Sequence, residues 1–147
     1  MKKLSSRMLL CVFVVMMLVS TVSAAADGVR SSLYLDAYRA WLTPVNGAKI
    51  NVNVHVQAVD YMDDVGSTKI EIYESDDGGA TWENTRIYLS ALEENMLDQD
   101  AVIYYDTAVT HQGTEGYKYY AVVTVYAGDS TGYDTREYQT TTVTARS

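Results

Sequence analysis

Two histidines, His55 and His111, are the only imidazoles in this 147-residue chain, so a Ser-His-Asp hydrolase would have to use one of them. His55 sits in an alternating polar and apolar run and His111 in a turn beside Gly113; neither adjoins a nucleophile elbow of the G-x-S-x-G kind. Both read as solvated side chains. With no H-E-x-x-H spacing they also make a poor zinc pair. The single cysteine, Cys11, lies in the N-terminal apolar segment, so the rest of the chain has no thiol nucleophile. Carboxylates abound, with 19 Asp plus Glu, but glycoside hydrolysis needs two of them facing each other at a set distance, which spacing along a chain does not specify. The residues read as non-catalytic.

Calcium is the one ion the acidic residues call to mind. Asp60, Asp63 and Asp64 crowd one expected turn, Asp76 and Asp77 a second, and Asp98 and Asp100 a third. Two such loops meeting at one end of a β-domain could offer the six to eight oxygens the ion takes. Turn chemistry and solubility account for the same residues, and no EF-hand signature is present. No other cofactor is implied.

Tyrosine is the other surplus, 13 in all. On alternating strands they cannot all face inward, and Tyr34, Tyr38, Tyr104, Tyr120 and Tyr126 are the candidates for an exposed aromatic surface. Such rings give large contact area at small entropic cost and stack on sugars or partner side chains. Alternatively they form cross-strand ladders worth about 0.2–1 kcal/mol per pair.

These groups must be held by elements, and the first element is expected to be lost. Lys2, Lys3 and Arg7 precede an apolar run from Leu9 to Val19, and Val22-Ser23-Ala24-Ala25-Ala26 offers small residues to a peptidase; residues 1–26 read as a secretory signal peptide. The run is shorter than the roughly 20 residues a membrane span needs. Its removal takes three basic residues and no acidic one, leaving eight basic against 19 acidic side chains, a net charge of −11. A chain so negative repels phosphate backbones and anionic membrane surfaces, which argues against nucleic-acid partners. Residues 27–147 are long enough for one domain, stabilised by a packed core without disulfides.

Within that domain, Ile50-Asn51-Val52-Asn53-Val54-His55-Val56-Gln57-Ala58 alternates without interruption, the pattern of a half-buried antiparallel strand. Lys69 to Tyr73 repeats it with Ile70 and Ile72 inside, and Tyr117 to Tyr126 places Tyr117, Tyr119, Ala121, Val123 and Val125 on one side. Residues 32–42, 86–89, 101–109 and 136–145 complete seven expected strands. Turn chemistry separates them at Pro44-Val45-Asn46-Gly47, Asp63-Asp64-Val65-Gly66, Asp76-Asp77-Gly78-Gly79, Gln112-Gly113-Thr114 and Gly128 to Gly132. Residues 90–100 read as a crossover. The expectation is an all-β antiparallel sandwich of immunoglobulin or fibronectin type III character.

Three resemblances bear on this. Ser75-Asp76-Asp77-Gly78-Gly79-Ala80-Thr81-Trp82 fits S-x-D-x-G-x-T-W and resembles the Asp-box of bacterial sialidases and other secreted β-proteins. The resemblance implies a hairpin braced by Ser75 and Asp77, permitted by Gly79 and covered by Trp82. It does not imply sialidase activity, because Asp-boxes lie away from the catalytic centre and only five arginines follow residue 26. Gly113 to Tyr126 is similar to the penultimate strand of fibronectin type III domains, which implies a tyrosine corner at Tyr119 or Tyr117. The usual second-strand Trp is missing, and Trp41 is expected to fill the core instead. Taken whole, residues 30–145 resemble a family of short uncharacterised secreted proteins of Gram-positive bacteria, through Thr68 to Ser75 and Tyr119 to Gly128; this implies export and fold, and no reaction.

The functional expectation is a secreted, non-catalytic β-sandwich that binds an extracellular glycan or protein. Two alternatives stand beside it. One is a structural component self-associating through the first strand, whose edge carries only Asp36 and Arg39 as charges; the other, ranked last, is a small hydrolase.

Overall fold

Ile50, Val52, Val54, Val56 and Ala58 are all sealed from solvent, each 2% exposed or less, while Asn51, Asn53, His55 and Gln57 between them are half-buried. Alternation therefore translates directly into a core face and an outer face. The computed structural model describes residues 32–147; the expected signal peptide, residues 1–26, lies outside them. Seven strands follow in order: β1 (Leu35–Val45), β2 (Lys49–Ser75), β3 (Glu83–Leu89), β4 (Leu97–Gln112), β5 (Lys118–Asp129), β6 (Gly132–Gln139) and β7 (Val143–Thr144), with a single 3-10 turn at Glu94–Met96. All pairings are antiparallel. The protein is all-β, as its alternation predicts. Among the described residues no helix is long and apolar enough to cross a membrane.

The count of seven is reached differently from the expected list. Residues 50–58 and 69–73 are not two strands but the two halves of β2, and the expected 136–145 strand divides into β6 and β7. The expected turn at Asp63-Asp64-Val65-Gly66 is continuous strand: Val65 is fully buried, and Gly66 is paired with Leu97 on one side and Tyr126 on the other. Main-chain bonding on both edges outweighs the local turn preference of the aspartates. Gly66 adopts φ 148°, and a Cβ there would collide with the main-chain oxygen of Met96. The Gly marks a close approach of two backbones inside a sheet, not a reversal.

The long, irregular β2 organises the whole. Its first half pairs with β1 and β4, the β4 pairing continuing to Gly66, its second half pairs with β3 and β5, and β5 in turn carries β6 and β7. Hydrogen bonding thus joins all seven strands into one curled sheet, where the expectation was two separate sheets. The pairing shifts register between Gln57 and Met62 and again between Ser67 and Lys69. At such irregularities the strand bends and twists, and here the sheet folds back over its own inner face. Ile50 to Val56 from one half and Ile70, Ile72, Tyr119, Ala121, Val123 and Val125 from the other form a single buried cluster. Each sealed Val or Ile contributes about 1.5–3 kcal/mol relative to exposure.

The curl brings β1 against β6. Ser32 donates to Asp134, the Tyr34 and Thr131 hydroxyls lie 3.4 Å apart, and the Tyr38 and Tyr138 rings meet edge to face at 6.3 Å. Only Tyr38 of these residues lies on β1 itself, and the contacts are between side chains, so among the described residues the outer main-chain edge of β1 has no partner strand. The expected core role of Trp41 is also overturned. Ala40 and Leu42 take the core positions, so Trp41 between them faces outward.

Candidate functional site

The hairpin between β2 and β3 shows how short-range chemistry fixes a loop. The Ser75 hydroxyl donates to Asp77 Oδ1 at 2.6 Å and accepts from the Gly79 amide at 2.8 Å. Asp77 also accepts from the amides of Ala80 and Thr81 at 3.0 and 2.9 Å and from the Thr81 hydroxyl at 2.6 Å. These donors hold the Asp77 carboxyl well below the usual carboxylate range, the Ser75 and Thr81 hydroxyls foremost. Gly78 and Gly79 have φ 77° and 99°, and Trp82 lies beside Gly79. Both carboxylate oxygens of Asp77 are bonded within the loop.

Tyr119, not Tyr117, bonds back to upstream backbone: its hydroxyl accepts from the Thr114 amide at 2.8 Å and donates to Glu74 Oε2 at 3.0 Å. Tyr117 is half-buried at the core margin. His111 was expected to be solvated in a turn, and is instead a buried residue of β4, 8% exposed. It pairs in register with Ile50 and so points to the core side, its Nδ1 3.0 Å from the Tyr88 hydroxyl. Burial pushes its pKa down, with Glu74 opposing and Arg86 reinforcing the shift.

The outward-facing aromatics gather into separate clusters. Over the first half of β2, Trp41 and Tyr105 lie with ring centroids 5.7 Å apart, His55 meets Tyr105 at 5.5 Å, and the Arg39 guanidinium sits 4.9 Å over Trp41. Tyr105 is 61% exposed and its neighbour Ile103 51%. Polar side chains frame the rings: Asn53 donates to the Thr43 hydroxyl and accepts from Thr107, and Thr110 donates to Asn51, at 2.8 to 2.9 Å. Over the second half, Tyr73 stacks on Tyr120 at 4.8 Å and 5°, and Trp82 meets Tyr120 edge to face with ring centroids 4.7 Å apart. Tyr126 stacks on Tyr133 at 5.6 Å. Burial, then the charges of Asp64, Asp63 and Asp129, raise the Tyr126 hydroxyl pKa.

Of the five tyrosines singled out by alternation, Tyr38 is exposed, Tyr34, Tyr120 and Tyr126 are half-buried, and Tyr104 is the error. Tyr104 is 1% exposed and donates its hydroxyl to the carbonyl of Asn95, because it pairs with Val56 on the core face. Tyr34 and Tyr38 belong to the β1–β6 contact and form no platform. The calcium candidates are not assembled. Asp60, Asp63 and Asp64 lie along β2 and Asp76 in the hairpin, and among the described residues no three His, Cys, Asp or Glu side chains converge as a metal site. Alternation overlooked Trp41, Tyr105 and His55 as a group. Their common face was available in the parity of Ala40 and Leu42, whereas the register that sets β4 beside β2 was not. No protein-family model, curated protein or solved structure matches the chain.

Proposed function

We propose that this is an exported, non-catalytic binding module whose ligand is an extracellular glycan held on the Trp41–Tyr105–His55 face. The observation that carries the reading is an outward-facing aromatic pair framed by a ladder of amides and hydroxyls on the outer face of the sheet, across the register shift between Val52 and Asn53. Aromatic faces cover the apolar C–H faces of a pyranose, and side-chain amides and hydroxyls match its hydroxyl groups. The net charge of −11 after residue 26 repels polyanions, so neutral hexose-based chains are favoured over uronic-acid polymers.

Affinity electrophoresis or calorimetry of residues 27–147 against neutral glycans tests it. Trp41→Ala and Tyr105→Ala should each weaken binding by about tenfold or more, while Tyr120→Ala should leave it unchanged. No binding to any neutral glycan, or equal binding by the Trp41 and Tyr105 variants, removes the reading. A protein partner is the second reading. Ile103 beside Tyr105, with Trp41 and Arg39, supplies the residue types that dominate protein interfaces. Capture of one defined extracellular protein, lost with Trp41→Ala and unaffected by free sugars, would select it.

A further inference from the structure

We propose a second binding site, at the opening between β3 and β4, for a small zwitterion that carries an ammonium and a carboxylate, such as an amino acid or a dipeptide. The site is an open groove of about 380 Å³ lined by Glu74, Thr85, Arg86, Tyr88, His111 and Gln112, with His111 at its buried end and Arg86 at its exposed rim. Register explains why these residues meet. Arg86 pairs with Ile72, Tyr88 with Ile70, Glu74 with Tyr119 and His111 with Ile50, so all four point to the core side from three strands. Its volume lies at the small end of ligand cavities.

Two opposite charges face this space without meeting each other. Among the described residues neither Arg86 nor Glu74 forms an ion pair, the two ion pairs being Lys69–Glu71 and Arg136–Asp134. Arg86 rests 5.3 Å from the Tyr88 ring. Glu74 is held by the Tyr119 hydroxyl through Oε2, which leaves Oε1 without a hydrogen bond from the described residues. His111 is nine-tenths buried, tied through Nδ1 to Tyr88, with no partner at Nε2 among the described residues. Burial disfavours its charged form, and the neutral ring can accept a hydrogen bond from the Tyr88 hydroxyl at Nδ1 and present Nε2–H as a donor. A carboxylate is then matched by Arg86 and His111, and an ammonium by Glu74. Charge-assisted bonds of this kind are the stronger ones, and a ligand with a single charge would leave one partner unmatched.

The probe is L-alanyl-L-alanine, titrated into residues 27–147 while the His111 and Tyr88 resonances are followed by NMR. N-acetyl-L-alanine, lacking the ammonium, and L-alaninamide, lacking the carboxylate, serve as the paired controls. We expect saturable shifts with the dipeptide and binding weaker by about tenfold or more for each control. Glu74→Gln and Arg86→Gln should each weaken the dipeptide to a similar degree, and Trp41→Ala should have no effect, which separates this site from the aromatic face. No saturable shift at about 10 mM dipeptide, or equal binding of all three probes, overturns the proposal. The control probes act on the unmodified chain, so the comparison among them holds whether or not the variants fold.

Discussion

Asp77 gathers four hydrogen bonds onto one exposed carboxylate, and this sets how its loop responds to acid. Its pKa is lowered in the folded chain, so the unfolded chain binds a proton first as pH falls. The stabilisation it confers is therefore full above the ordinary carboxylate value of about 3.9 and is lost as pH drops toward the lowered folded value. Replacing it by Asn should flatten the acid limb: the difference in urea midpoint between about pH 5 and about pH 2.5 should shrink relative to the parent chain. An unchanged difference would mean that Asp77 is not responsible. Tyr119 works over a different range. Asp77 bonds only within its own loop, whereas Tyr119 joins the nearby Thr114 amide to Glu74 on another strand, and it is the second of these links that neither motif implied.

At the scale of the element, β2 is the unexpected feature. A 27-residue strand requires that a segment rich in turn-forming residues stay extended, and Gly66 is the residue on which this depends. Gly66→Ala would place a Cβ into the Met96 carbonyl at a backbone angle that favours glycine; it should cost about 2–4 kcal/mol, read from urea or thermal unfolding. A loss under about 0.5 kcal/mol would show that the two backbones can separate freely. Sheet edges are also managed at this scale. Along β4, Asp98, Asp100 and Asp106 place negative charge, and Asp100 adopts φ 51°, which interrupts regular strand geometry. On β3, Arg86 shares the core-side face with Tyr88, another device that discourages edge pairing.

For the whole molecule, the question is how one sheet closes on itself. The contact of β1 and the residues before it with β6 and its preceding turn is made by side chains: Ser32 with Asp134, Tyr34 with Thr131 and Tyr38 with Tyr138. It contributes tertiary closure without extending the hydrogen-bonded ladder. A double-mutant cycle of Tyr38→Ala and Tyr138→Ala should return a coupling of about 0.5–1.5 kcal/mol, as expected for an edge-to-face pair. Additive losses would place the two rings out of contact in solution. The curl also decides where the aromatic clusters lie. Trp41 on β1 and Tyr105 on β4 flank the first half of β2, and Tyr73 on its second half stacks on Tyr120 of β5, so the outward rings form distinct platforms instead of one continuous belt.

Alternation alone determined the all-β class and most of the core, because a period of two residues fixes the face of each side chain wherever a strand stays regular. It placed Ile50 to Ala58, Ile70, Ile72 and Tyr119 to Val125 correctly, and the turn residues Asp76 to Gly79 located a loop whose bonds, anticipated by the Asp-box resemblance, span only a few residues. What it left open depends on pairing between distant strands. The register of β4 on β2 buried Tyr104 and His111 and exposed Tyr105, and the close approach of Met96 to Gly66 turned an expected reversal into continuous strand. Such outcomes follow from which backbones hydrogen-bond across separations of tens of residues, and a strand's own residues do not encode its neighbour's register.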